Sequence, residues 1–149
     1  MMLPFLVGTL VSLACIGLHA LVTVVAVSIA RSAGLRHTAR PRSHLMGVMM
    51  ATAVVLMVAH VLEVLVWAAT YSIVGAAAAE DGLLYFAFVN YTTLGYGDIT
   101  PVREWRLIGP LTAMNGVLLF GWSAAVLFEV LRKTLDHLEA AKAPRSASG

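Results

Sequence analysis

Thr92-Thr93-Leu94-Gly95-Tyr96-Gly97-Asp98 lies between two hydrophobic stretches, each long enough to cross a membrane. Two glycines flank one tyrosine, after a pair of threonines and before an aspartate. That run offers no constellation for catalysis. What it offers is backbone, because Gly95 and Gly97 permit dihedral angles that a side chain opposes, and so allow successive carbonyls to align. The segment before it, 82–92, is apolar and aromatic but too short to span. At roughly 1.5 Å per residue it reaches only about halfway through a hydrocarbon core. Non-helical backbone at membrane depth is tolerated only where protein buries it or a water-filled path runs beside it. A half-length helix followed by this loop therefore predicts a pore.

Composition agrees. The chain of 149 residues is 60% hydrophobic and 12% charged, with mean hydropathy +0.86, which excludes an ordinary soluble domain. A net charge of +2 does not point to nucleic acid, because eight of the ten Lys and Arg residues fall in two clusters, 31–42 and 132–145. Residues 1–30 carry no Lys, Arg, Asp or Glu. They lack a basic start and exceed the apolar core of a signal peptide, so they predict a retained first transmembrane helix. Residues 31–44 form a basic loop, and 45–79 a second span broken only by His60 and Glu63. Glu80 and Asp81 precede the short helix, and their charge favours its N-terminus. Residues 107–128 are a third, charge-free span, and 132–149 a mixed-charge tail. The positive-inside rule puts the basic loop and the C-terminus in the cytoplasm, and the N-terminus and glycine run outside a cell membrane. Trp105, among Arg103, Glu104 and Arg106, suits an interfacial anchor on the outer side. Cys15 is alone and predicts a buried, inert thiol.

Residues 85–101, Tyr-Phe-Ala-Phe-Val-Asn-Tyr-Thr-Thr-Leu-Gly-Tyr-Gly-Asp-Ile-Thr-Pro, resemble the pore region of the potassium channel superfamily. They are most similar to small prokaryotic two-helix ion channels, and the likeness extends over 45–131. It implies an all-α membrane fold: three transmembrane helices, a re-entrant pore helix and a filter loop between the second and third, in a tetrameric pore. It assigns K⁺-binding carbonyls to Thr93, Leu94, Gly95 and Tyr96, continuing to Gly97, with the Thr93 hydroxyl innermost. Thr92 and Asp98 would brace the filter. Leu94 stands where valine is common, and Val89 and Asn90 stand where some members carry polar bracing residues. Gly116 and Gly121 match the inner-helix hinge region, and helical phase adds Val117, Ala124 and Phe128 to a cavity and gate face. The first helix has no counterpart in the two-helix plan.

The resemblance implies passive, potassium-selective conduction with no enzyme activity and no cofactor beyond the permeant ion. A closed ring of oxygens needs four loops, so a homotetramer in membrane lipid follows, with a regulatory partner left open. Conduction by a weakly selective cation channel is the alternative within this class.

Glu63 is the one acid within a span, with His60 one turn before it. Intramembrane ionisable groups usually face protein or water. The pair therefore predicts either a brace on the pore helix or a proton sensor. His19 and His60, both near mid-span, raise the alternative of axial ligands in a haem-binding redox subunit. Counted from the cytoplasmic ends, however, His60 lies about 5 Å deeper. The second histidine of a helical zinc motif is missing, since position 64 is Val64. Glu129 and Lys133 predict a solvated i,i+4 pair, and Gly8-x-x-x-Ser12 and Gly47-x-x-x-Ala51 predict small-residue packing.

Overall fold

The computed structural model describes residues 2–34, 41–77 and 82–140. It contains α1 (Met2–Gly34), α2 (Pro41–Val74), α3 (Leu83–Tyr91), a 3-10 turn at Arg103–Trp105 and α4 (Ile108–Ala140). Three of these helices are long and apolar enough to cross a membrane. The nine-residue α3 is not. The basic loop is shorter than expected, because α1 runs on to Gly34 and α2 begins at Pro41. Similarly, α4 continues well past the apolar run into the charged tail. Helical hydrogen bonding does not stop where hydrophobicity does, since polar residues with good propensity extend it into water. Glu80 and Asp81, expected to favour the start of α3, lie outside the described residues, as do Arg36 and Arg40.

Local chemistry sets the helix ends. Pro4, Pro41 and Pro110 each fall in the first turn of a helix, where a missing N–H leaves no hydrogen bond unmade. α2 closes with a Schellman motif. Gly75 takes φ 62°, its N–H donates to the Ser72 carbonyl at 3.4 Å, and the Ala76 N–H donates to that of Tyr71 at 3.0 Å. That turn frees the chain to double back, and the Val102 N–H returns to the Ala76 carbonyl at 2.8 Å.

α3 packs between α2 and α4, and α1 lies along both. The core holds Trp67, Tyr71, Phe86, Tyr91, Ile108 and Leu119, together with Cys15, which is buried as expected. Trp105, partly buried, packs against this core from the 3-10 turn. A polar seam crosses the apolar interior. The Trp67 indole donates to Asn115 Oδ1 at 3.1 Å, the Tyr71 hydroxyl meets the Thr112 hydroxyl at 2.6 Å, and Asn90 donates to the Tyr71 hydroxyl at 3.3 Å. Such bonds join helices where lipid removes most of the hydrophobic drive to associate. Of the two small-residue stripes, Gly8 packs closely under Leu111 of α4, whereas among the described residues nothing lies within 4 Å of a methyl added at Gly47.

Candidate functional site

The glycine run leaves α3 under tight backbone control. The Thr92 N–H donates to the Phe88 carbonyl at 2.9 Å, that of Thr93 to Asn90 at 3.0 Å, and that of Leu94 to Val89 at 2.9 Å. The Thr92 hydroxyl turns back to the Phe88 carbonyl at 2.7 Å, so this residue braces the helix end. From there the chain alternates. Thr93 has φ 60°, Gly95 φ 59° and Gly97 φ 78°. Left-handed residues at every second position turn successive peptide planes the same way, whereas a regular strand alternates them. Thr93 is the one non-glycine residue at positive φ among the described residues, a conformation held only where the surroundings over-determine it.

At the far end of the run, Asp98 is held from behind. The Tyr85 hydroxyl, from the first turn of α3, donates to Asp98 Oδ2 at 2.7 Å, and the Ile99 N–H donates to Oδ1 at 3.1 Å. The carboxylate accepting this bond holds the Tyr85 hydroxyl above the ordinary phenol range, so it stays a donor. Sequence reasoning missed Tyr85 as the partner of Asp98. Val89 and Asn90, the positions that carry bracing groups elsewhere, face other neighbours: Val89 is buried and Asn90 joins the polar seam. Replacing Tyr85 by Phe removes this tie alone. We expect Tyr85→Phe protein to fold and insert but to change its relative permeability to K⁺ and Na⁺, read as a shifted reversal potential under bi-ionic conditions.

The α4 residues divide. Val117, Gly121, Ala124 and Phe128 form an exposed strip along the helix. Gly116 is buried on another face, against Tyr91 at the end of α3. α4 runs as one helix through Gly116, which lets the α3 and α4 backbones approach. Glu129 pairs with both Arg132 at 2.9 Å and Lys133 at 2.8 Å on the exposed surface, as the solvated pair predicts.

Deep between α1, α2 and α4 sits a second polar group. Glu63 is fully buried, and its Oε1 lies 2.8 Å from His19 Nδ1 while Oε2 lies 3.2 Å from His60 Nδ1. Oε2 also accepts a very short bond from the Tyr91 hydroxyl, which ties Glu63 to the last turn of α3. Ser123 Oγ of α4 is 2.9 Å from His60 Nε2 and 3.3 Å from His19 Nε2. The histidine rings are 5.3 Å apart, closer than counting from the loop suggests. The reason is geometric: side chains tilt toward their own helix N-terminus, and α1 and α2 run in opposite directions. His19 and His60 therefore lean toward each other. Their rings share Glu63 and Ser123, which occupy the gap a haem between them would need.

Residues 59–133 match a family model described as Ion channel, covering α4 through Lys133, α3, the glycine run and the C-terminal half of α2. The chain belongs to this two-helix ion channel family. No curated protein and no solved structure matches it significantly. α1, with His19, lies outside the matched stretch.

Proposed function

We propose that the protein is a potassium-selective channel in which four copies surround one pore, with α3 as re-entrant pore helix and Thr92–Asp98 as filter. The observation that carries this reading is the alternation of left-handed residues at Thr93, Gly95 and Gly97. Carbonyls of Thr93, Leu94, Gly95 and Tyr96, repeated by four chains, replace the hydration shell of a permeating K⁺. Exposure supports the assembly. Leu94 and Tyr96 are 52% and 68% exposed in the single chain, and Phe128 is 68% exposed, all on surfaces that a four-fold ring would cover or turn toward the pore. Glu63 acts as a brace, a role supported by its bonds to three helices. In a planar bilayer with K⁺ on one side and Na⁺ on the other, current should reverse near the K⁺ equilibrium potential. Reversal near zero would favour the weakly selective cation channel, and silence from an intact oligomer would overturn both.

The same reading places the N-terminus outside the cell membrane and the C-terminus in the cytoplasm. Cysteines substituted one at a time test it in a background with Cys15 replaced. Ser43→Cys should react with a membrane-impermeant maleimide only from the cytoplasmic side, and Thr100→Cys only from outside. Labelling of both from one side would mean that α2 does not cross.

A further inference from the structure

We propose that His19, His60 and Glu63 form a binding site for one divalent transition-metal ion of the zinc class, clamped between α1 and α2. The three side chains bring one ligand atom each to within 4.8 Å of one another. His60 and Glu63 stand three residues apart on one helix face, and His19 closes the group from the antiparallel neighbour. Helix bundles build metal centres from this pattern, with carboxylate and imidazole at i,i+3 on one helix and a further ligand on a facing one.

The hydrogen count points the same way. An ionised carboxylate only accepts. His60 Nδ1 lies against both Glu63 and the Tyr91 hydroxyl, the latter at 2.9 Å, and His19 Nδ1 lies against Glu63, which leaves the two Nε2 atoms. Both face Ser123 Oγ, whose single proton can serve only one of them. The cluster therefore holds a buried carboxylate among imidazole and hydroxyl groups, and no Lys or Arg among the described residues pairs with Glu63. A divalent ion among the two Nδ1 atoms and a carboxylate oxygen supplies the cation that Glu63 lacks. Each Nδ1 becomes a ligand and each Nε2–H donates to a lone pair of Ser123 Oγ. Tyr91 continues to donate to Glu63. Imidazole N–H groups held by a shared hydroxyl, and a ligating carboxylate held by a phenol, are the outer contacts that orient metal ligands. Two nitrogens and an oxygen suit zinc, cobalt or nickel better than magnesium or calcium. The His60 side chain, 15% exposed where the other two are fully buried, leaves the cluster open on one side. Such a site gives α1, which the family match does not include, a role: it supplies one ligand, and Glu63 carries the occupancy to the end of α3.

The test is binding, read independently of conduction. Full-length protein in detergent, stripped with chelator, should take up one Co²⁺ per chain and show the visible ligand-field absorption of nitrogen and oxygen ligation. His19→Gln and His60→Gln, each confirmed by size exclusion to keep the wild-type assembly, should weaken uptake about tenfold or more. His137→Gln, on the exposed end of α4, should leave it unchanged. Should either variant fail to assemble, X-ray absorption at the zinc edge of loaded wild type decides, with two imidazoles, oxygen and no sulfur expected. No Co²⁺ uptake by folded wild type would overturn the proposal. Undiminished uptake in both assembled histidine variants, or a zinc spectrum with fewer than two imidazoles, would overturn it equally.

Discussion

Gly116→Ala is expected to break the junction between α3 and α4 and abolish channel current. A Cβ on Gly116 falls inside the van der Waals sphere of the Tyr91 carbonyl oxygen and 3.3 Å from the Tyr91 ring. The first obstacle is backbone, so no side-chain rotation relieves it. Overpacking of this kind costs about 1–3 kcal/mol when side chains can yield, and more is expected where they cannot. Tyr91 also donates to Glu63 and ends the helix from which the glycine run departs, so its displacement reaches the filter. Thermal unfolding in detergent should show a lower midpoint, and bilayer recordings no selective current. Gly121→Ala is the internal control. Nothing lies within 4 Å of its added methyl, and alanine favours a helix interior by about 1 kcal/mol over glycine. Equal stability of the two variants would mean that α3 does not rest on Gly116.

Gly95→Ala is expected to remove potassium current by a different route, with insertion and assembly intact. Here there is room: the nearest atom to an added Cβ is the Thr93 carbonyl oxygen, at 3.9 Å. The obstacle is φ 59°, a left-handed angle that an L side chain opposes by about 1–2 kcal/mol. The peptide can escape by rotating, and rotation takes a carbonyl off the ion path. Because the run makes few contacts with the bundle beyond its first residues and Asp98, stability should hardly change. Selective current unchanged from wild type would sink the filter assignment.

Much of this organisation is legible along the chain because it depends on local properties. Span length follows from apolar runs, the half-length helix from the short segment before Thr92, and the backbone freedom of the loop from Gly95 and Gly97. Helix ends were less legible. α1 and α2 both extend into the basic loop, because charge marks the membrane edge and not the end of hydrogen bonding. Tyr85 as the partner of Asp98 was hidden for another reason, since the pairing depends on how far the loop folds back along α3 and leaves no local pattern.

The sequence by itself determined three helices long enough to cross a membrane, a short helix and a loop with freely turning carbonyls, since each follows from the hydropathy or dihedral preference of neighbouring residues. Only the tertiary structure decided which faces of the long helices meet. Spans that are apolar on nearly every side carry no stripe to mark the inward face, so rotation about the helix axis has no sequence signal. That rotation, with the opposite side-chain tilt of antiparallel helices, joins His19 and Ser123 to the His60–Glu63 pair of α2 in one buried cluster. It also sets Gly116 against Tyr91, where the α3 and α4 backbones meet.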